Sequence, residues 1–265
     1  MVTQNRIWKY AKLFGLLVKT DLVILRQFII GQLINIVIWS SSVVIIATYI
    51  FPKLGMTEKF GAFMVVTSIV AHSFWGIWDS SYKLVEDIEG RQNIGYKLTL
   101  PLPSWLIMVQ YAVQHAINKL IPSIIVLPLF KLILRSRMDL SQFSLFKFIL
   151  IFVTGGIFTG FFFVFVSSFV PTSHKVDNVG VRLLFPMYFF GATNYAWSIL
   201  YCINSTLAYL TLLNPLVFVM EGIHAAVLGG THYIPFYICL LVLWSAIIVF
   251  GFIGVVKYKK RLDFV

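Results

Sequence analysis

Glu221 is the only acidic residue in a long apolar stretch near the C-terminal end of the chain, and His224 follows it three residues later. Residues three apart share one face of a helix, so the two side chains could form a hydrogen-bonded pair. A carboxylate in an apolar segment is costly and more often serves a function than not. The pattern predicts a structural or gating pair. A solvated acid that caps backbone groups is the alternative, and catalysis is the least favoured interpretation.

Two other polar pairs interrupt apolar segments. His72 and Asp79 are seven residues apart, which is two helical turns, and His115 and Lys119 are four apart. Ionisable residues inside a membrane segment could form a proton relay, as in an ion-coupled secondary transporter. The sequence shows neither an inverted repeat nor matching broken helices in two halves, which such transporters often have. A secondary transporter therefore stands as the alternative function.

A cluster of charged residues, Glu86, Asp87, Glu89 and Arg91, follows an apolar segment. Grouped carboxylates at a membrane surface could hold a metal ion in an enzyme that acts on lipids, which is a third class of function. Their place in a predicted cytoplasmic turn favours docking to another protein instead. We interpret the cluster as a contact for a partner.

The sequence offers no residues spaced for metal or redox chemistry. Its two cysteines, Cys202 and Cys239, lie in apolar surroundings, and no CxxC or Cys/His spacing occurs. The G-x-x-x-x-G-K-[ST] loop that cradles nucleotide phosphates is also missing from the sequence. We predict no catalytic residue, no metal site and no cofactor in this chain.

The composition indicates which elements must position these residues. Of the 265 residues, 59% are hydrophobic and 12% are charged, whereas soluble domains have about 45–50% and about 25%. The mean hydropathy is +0.89. These values exclude a soluble globular enzyme and a disordered chain. No long polar block could form a soluble domain tethered by one or two spans, so the sequence predicts an all-α polytopic membrane protein.

The net charge of +11 has a topological explanation. In a soluble protein it might suggest a nucleic-acid partner, but basic loops of membrane proteins stay on the cytoplasmic side. Fourteen basic residues then lie inside: Arg6, Lys9, Lys12, Lys19, Arg26, Lys83, Arg91, Lys97, Lys175, Arg182, Lys257, Lys259, Lys260 and Arg261. Six lie outside: Lys53, Lys59, Lys131, Arg135, Arg137 and Lys147. We predict that both termini are cytoplasmic and that nucleic acid is not a partner.

Residues 5–26 have the pattern of a helix that lies on the membrane. Aliphatic and aromatic residues at helical spacing form one stripe, and basic residues form another. The apolar stripe consists of Ile7, Ala11, Phe14, Val18 and Leu25, and the basic face of Lys12, Lys19 and Arg26. This arrangement suits the headgroup layer of a cytoplasmic leaflet. A charged lead-in to the first span is the alternative.

Six apolar segments are long enough to cross the membrane as helices. They are approximately 27–51, 61 to the eighties, 105–131, 144–170, 181–202 and 234–256. We expect bends at Pro122 and Pro128, and close helix packing at Gly156 and Gly160 of the fourth span, within one chain rather than at a dimer seam. A basic cytoplasmic tail, 257–265, follows, and residues 1–265 form a single transmembrane domain.

Residues 203–233 are too apolar for a free loop and too broken for a span. Asn204 can cap one short helix, and Asn214-Pro215 opens a second, because Asn favours the N-cap and proline the first helical position. Gly229 and Gly230 end it. A helix over 216–228 is about 20 Å long, too short for a hydrocarbon core of about 30 Å. The sequence predicts a re-entrant helical hairpin that enters from the outer face.

This order of elements resembles the ABC type-2 exporter permeases. The most specific stretch is Leu213–His224, which resembles that family's leucine-Asn-Pro-leucine run followed by Glu and a basic residue three places on. His224 stands where the family usually carries Arg. A looser match runs from Glu86 to Pro101, which is similar to the acidic, Gly-containing turn that leads to a Leu-x-x-Pro.

The resemblance implies a permease that exports a lipid, a polysaccharide or an amphipathic drug-like compound. Two copies, usually a homodimer, would bind two separate ATP-binding cassette subunits that carry the ATP and Mg²⁺. Glu86, Asp87, Glu89 and Arg91 would couple to those subunits. Asn214, Pro215, Glu221 and His224 would form part of an outer gate. The implied location is the plasma membrane (the bacterial inner membrane), in contact with its lipids.

Overall fold

The computed structural model describes residues 2–90, 93–230 and 232–263, which form helices and turns and no β-strand. The α-helices are α1 (Val2–Ile45), α2 (Phe60–Gly90), α3 (Asn93–Thr99), α4 (Ser104–Ser123), α5 (Val126–Leu134), α6 (Leu145–Ser168), α7 (Val176–Val179), α8 (Phe185–Phe189), α9 (Trp197–Ile203), α10 (Ser205–Thr211), α11 (Pro215–Val227) and α12 (Phe236–Asp263). Short π-helical or 3-10 turns cover Ile46–Ile50, Phe51–Leu54, Arg135–Arg137, Ser173–Lys175 and Gly180–Leu184.

Five helical segments within the described residues are long and apolar enough to cross a membrane. They are Trp8–Leu54, Phe60–Gly90, Ser104–Leu134, Leu145–Ser168 and Phe236–Arg261. A sixth is reached only if the bent pair α10–α11 is counted as one span. The all-α class is confirmed, and the long apolar helices are compatible with a multi-pass membrane protein.

The N-terminal helix is longer than the sequence predicted. No break separates residues 5–26 from the first span, because α1 continues to Ile45 and then into the π-helical turn. Pro52 is the first proline of the chain, and a helix without a breaker gains one backbone hydrogen bond for each added residue. The boundary expected at residue 26 is therefore wrong.

The third apolar segment is interrupted after a proline. Pro122 lies in the last turn of α4, and two residues separate that helix from α5. Proline lacks the N–H that would continue the ladder and clashes with the preceding turn. Pro128 lies in the first turn of α5, where backbone N–H groups have no partner within the helix. The helix therefore breaks next to Pro122, where a bend was expected, whereas Pro128 does not break its helix.

The predicted fifth span, 181–202, is wrong as one continuous helix. Helical turns run without a gap only from Ser173 to Phe189, so the helix ends within the predicted span. The chain then leaves the helix, with Ala192 at a φ of 58°, and α9 begins only at Trp197. The run Gly191-Ala192-Thr193-Asn194 favours a turn, and the apolar composition of the surrounding segment concealed it.

The segment before the last span contains two short helices, α10 and α11, which meet at an angle of 98°. The Asn204 side chain accepts a hydrogen bond from the Leu207 amide, and the Asn214 side chain accepts one from the Leu216 amide. Each asparagine thus satisfies an amide that its helix leaves free. Beyond α11, Gly229 and Gly230 adopt φ values of 68° and 101°, a conformation that favours glycine.

Helix α6 lies at the centre of the bundle and contacts α2, α4, α11 and α12. Its hydroxyl side chains bond to α2: Ser73 with Thr159 at 2.8 Å, and Ser167 with Ser81 at 2.9 Å. Against α4, a Cβ at Gly160 would stand 2.2 Å from the Ala112 carbonyl oxygen, and one at Gly156 would overlap the Leu120 side chain. Both glycines therefore permit close packing within one chain.

The Gly160 contact predicts the effect of adding one methyl group. Gly160→Ala should lower the free energy of unfolding by about 1–3 kcal/mol, because the rigid Ala112 carbonyl cannot move aside without a backbone shift. Gly31→Ala is the matched control, since a Cβ there meets nothing within 4 Å. Thermal denaturation in detergent measures both variants. Equal midpoints for the two would contradict the close α4–α6 contact.

Candidate functional site

A cavity of about 670 Å³ lies between α1, α2, α3 and α4. Its wall on the α1 side is largely apolar and includes Leu13, Leu17 and Ile24. Helices α2, α3 and α4 carry five charged residues of the lining, Asp79, Lys83, Asp87, Lys97 and Lys119, and α1 carries one, Asp21. A cavity with one largely apolar wall and one charged wall is suited to an amphipathic molecule.

One end of the cavity is closed by a polar network around Asp21, which is only 5% exposed. Its carboxylate accepts hydrogen bonds from the side-chain amides of Gln110 and Gln114, the latter at 2.8 Å. Lys97 donates to the Gln110 side-chain oxygen at 2.9 Å and lies over the Tyr111 ring. Burial lowers the pKa of Lys97, whereas the carboxylates of Asp21 and Asp87 raise it. The network joins α1, α3 and α4.

A second charged group in the same cavity is centred on Asp79 of α2. The Asp79 carboxylate bonds to the Lys83 ammonium at 2.9 Å, and the Lys119 ammonium is 3.9 Å away. The His115 Nδ1 atom lies 2.8 Å from the Ser80 hydroxyl. His72, which the sequence paired with Asp79, does not line this cavity. Lys119 and His115, the other predicted pair, do line it.

The predicted coupling residues have different environments at the end of α2. Glu86 is exposed. Asp87 accepts hydrogen bonds from the Tyr111 hydroxyl at 3.0 Å and from the Asn93 amide at 2.7 Å, so it fastens α3 to α2 and α4. Glu89 accepts a hydrogen bond from the Ser173 amide at 3.2 Å. Arg91 lies outside the described residues.

Glu89 also helps to hold the loop between α6 and α7. The Arg261 guanidinium donates to the carbonyl oxygens of Val170 and Pro171 at 2.7 and 2.6 Å. The loop is thus held by α2 on one side and by the last turn of α12 on the other. The residues expected to form a basic tail after 256 continue α12 as far as Asp263.

The four residues proposed for the outer gate belong to α11 or cap its start. Asn214 caps the helix, its side-chain amide donates to the Met187 carbonyl at 2.6 Å, and Pro215 occupies the first turn. Glu221 is fully buried. Its two carboxylate oxygens accept the Trp197 amide at 2.7 Å and the Ile234 amide at 3.0 Å. One side chain therefore connects α9, α11 and the entry to α12.

The predicted hydrogen bond between Glu221 and His224 is absent from the described structure, so that pairing is wrong. His224 is also fully buried, and its ring stacks on Phe63 with centroids 3.9 Å apart. Its Nδ1 atom lies 2.7 Å from the Met220 carbonyl, and its Nε2 atom lies 3.2 Å from the Thr67 hydroxyl. The two side chains point to different neighbours because free backbone amides next to Glu221 offer two donors for one carboxylate.

The sequence analysis missed Asp21, Gln110 and Lys97 as a group. Asp21 is the first acidic residue of the chain and stands in the apolar segment that follows Leu13. The criterion that selected Glu221, a carboxylate among apolar residues, would have selected Asp21 too. Asp21 falls within residues 5–26, which were assigned to a helix on the membrane surface, where a carboxylate would be solvated and would need no partner.

Comparison with known proteins gives no assignment for the chain. It matches no protein-family model, and no curated protein matches it. The residues and geometry described above are therefore the basis for its function.

The two bonds of Glu221 predict an exchange pattern for backbone amides. Glu221→Ala removes both acceptors, and Glu221→Gln keeps one, so exchange at Trp197 and Ile234 should rise most in the alanine variant. An unsatisfied buried amide costs about 1–3 kcal/mol, which corresponds to about tenfold or more in the opening equilibrium. Hydrogen–deuterium exchange of peptides that cover both residues is the measurement.

Glu86→Gln is the control for that experiment, because Glu86 is an exposed glutamate about 35 Å along α2 from Phe63, whose ring stacks on His224 of α11. It should leave exchange at Trp197 and Ile234 unchanged. If Glu221→Ala also leaves exchange at both amides unchanged, the carboxylate does not hold these segments together.

Proposed function

We propose that the chain is the transmembrane permease subunit of an ATP-binding cassette exporter, which moves an amphipathic lipid, polysaccharide or drug-like substrate outward. The observation that carries this proposal is the cavity between α1, α2, α3 and α4, charged on one wall and apolar on the other, inside a bundle of membrane-length helices. The sequence contains no phosphate loop. The ATP and Mg²⁺ belong to separate ATPase subunits, two for each pair of permeases.

Helix α3 is the contact for the ATPase in this proposal. Its inner side is anchored by Ile94, which is 2% exposed, and by the Asp87 bond to the Asn93 amide. Tyr96 of α3 is 68% exposed, and Glu86 near the end of α2 is exposed as well. Because Lys97 and Asp87 tie α3 to the cavity wall, a displacement of α3 would move that wall. This linkage would couple ATP hydrolysis to the substrate path.

Helix α11 forms part of the outer gate. It is too short to cross the hydrocarbon core, and Glu221 and Asn214 bind it to its neighbours through backbone groups. Irregular backbone at membrane depth is tolerated where it is packed in protein or lines a wet path. Opening would require these bonds to shift together.

The membrane arrangement completes the proposal. Both termini lie in the cytoplasm, the permease forms a homodimer in the bacterial inner membrane, and α10–α11 enters from the outer face as a re-entrant hairpin. The excess of basic residues on the proposed inner side supports this orientation.

Cysteine accessibility tests the orientation. Cys202 is exposed and is first replaced by serine, whereas Cys239 is buried and is retained. In intact cells, an impermeant thiol reagent should label Met56→Cys in the outer loop and should label Lys175→Cys only after the membrane is permeabilised. Both positions are exposed in the structure. Labelling of position 175 from outside intact cells would contradict the orientation.

Charge reversal tests the ATPase contact. Glu86→Lys should lower permease-dependent ATPase activity by about tenfold, equivalent to about 1.4 kcal/mol, because a like charge would replace a favourable one at the interface. The assay uses proteoliposomes that contain the chain and the cassette ATPase from a neighbouring gene. Glu58→Lys reverses an exposed glutamate at the opposite end and should retain full activity. Full activity of Glu86→Lys would remove this residue from the contact.

An ion-coupled secondary transporter is the second candidate. The group formed by Asp79, Lys83, Lys119 and His115 in the cavity favours it, because ionisable residues at that depth often relay protons. The two candidates differ in energy source. Transport by the purified chain alone, driven by a pH gradient and insensitive to ATP, would support the secondary transporter and contradict the permease.

A further inference from the structure

Lys119 is a buried cation that lies deep in the bundle. It stands about 22 Å along α4 from Ser104, and its side chain is 15% exposed. The nearest carboxylate, that of Asp79, is 3.9 Å away and is already bonded to Lys83 at 2.9 Å. Two ammonium groups therefore share one carboxylate in this part of the cavity. A charge at such depth is costly unless a counterion accompanies it.

The fold makes room for this side chain. A Cβ at Gly76 of α2 would stand 2.4 Å from Cε and 2.8 Å from Cδ of Lys119. The methylene groups of the lysine therefore lie directly against the backbone of α2, and the ammonium extends to the cavity that Lys119 lines. The close contact between α2 and α4 therefore determines where the ammonium group lies.

Two neutral groups on opposite sides of the cavity, Gln32 of α1 and Asn118 of α4, need hydrogen-bond donors. The side-chain oxygens of Gln32 and Asn118 are buried and have no partner within the described residues, and both residues line the cavity. A ligand that satisfies them and Lys119 carries a negative charge together with hydroxyl groups. The apolar wall includes Leu16 and Ile24, which are 50% and 44% exposed and so continue onto the outer surface of α1.

From these observations we infer that the cavity binds the anionic, hydroxyl-bearing headgroup of a membrane amphiphile. Lys119 binds the anion, and the side chains of Gln32 and Asn118 turn towards the cavity to accept hydrogen bonds from the hydroxyl groups. The acyl chains leave the cavity past Leu16 and Ile24 of α1 into the surrounding lipid. The inference deepens the proposed function, since it names the class of substrate that would enter the permease. The binding itself requires neither ATP nor a partner subunit.

Phosphatidylglycerol with short acyl chains is the probe, and the purified full-length chain in detergent is the receptor. Isothermal titration should show that phosphatidylglycerol binds at least about tenfold more tightly than phosphatidylcholine of the same chain length, a difference of about 1.4 kcal/mol. Glycerol phosphate, which carries the headgroup without the chains, should bind more weakly than the lipid. Equal affinity for the two lipids would overturn the headgroup assignment, and equal affinity for glycerol phosphate would overturn the membrane origin of the ligand.

Lys119→Met locates the site. It removes the charge, keeps the length of the side chain, and should weaken phosphatidylglycerol binding by about tenfold. Lys59→Met in the exposed outer loop is the control for general attraction to anionic lipid and should bind as the wild type does. Wild-type affinity of Lys119→Met would overturn the inference. If that variant does not fold, Gly76→Ala, which displaces the lysine, must show the same loss, and unchanged binding there would overturn the inference equally.

The outcomes separate this site from the proposed function. Lipid binding that depends on Lys119, together with full activity of Glu86→Lys, would retain the site and remove the predicted ATPase contact. Loss of ATPase activity in Glu86→Lys, with no Lys119-dependent binding, would retain the exporter and reject the site.

Discussion

A hydrocarbon core offers no hydrogen-bond partner, so each polar group at that depth must find one within the protein. This constraint organises the bundle around α2 and α6. Hydroxyl pairs such as Ser73–Thr159 and Ser81–Ser167 satisfy each other across the two helices. The glycines of α6 then bring α4 close enough to complete the core. By contrast, α1 is mostly exposed and touches this core along one side only.

Carboxylate side chains hold short segments at both ends of the bundle through backbone amides. At one end, Asp87 and Glu89 accept hydrogen bonds from amides of short segments that lie between the long helices. At the other, Glu221 accepts hydrogen bonds from the first amide of α9 and from an amide just before α12. Carboxylates bind amides strongly because the acceptor is charged. The charged cavity lies between these fixed ends, where the walls are joined mainly by side chains of α1, α3 and α4.

Much of the fold was predictable from local chemistry. Long apolar runs and the prolines and asparagines that end or cap helices indicate the all-α class, the break next to Pro122 and the two short helices α10 and α11. The predictions that failed concern features that tertiary contacts determine. Composition cannot show that a turn at Ala192 ends a helix early, nor that α1 continues past residue 26. The site was only partly predictable, since Glu221 and Lys119 stood out as charges among apolar residues. Their partners, Trp197, Ile234 and Asp79, come from distant segments that no spacing rule connects.

The two bonds of Glu221 also have a consequence for biogenesis. One partner, Trp197, lies 24 residues earlier in the chain, and the other, Ile234, lies 13 residues later. When α11 emerges from the ribosome, the Ile234 segment is still inside the exit tunnel, so one oxygen of the carboxylate has no partner in the bundle. The region around Glu221 can mature only after the start of α12 has arrived. A chain truncated before that point would keep one carboxylate oxygen unmatched among apolar helices.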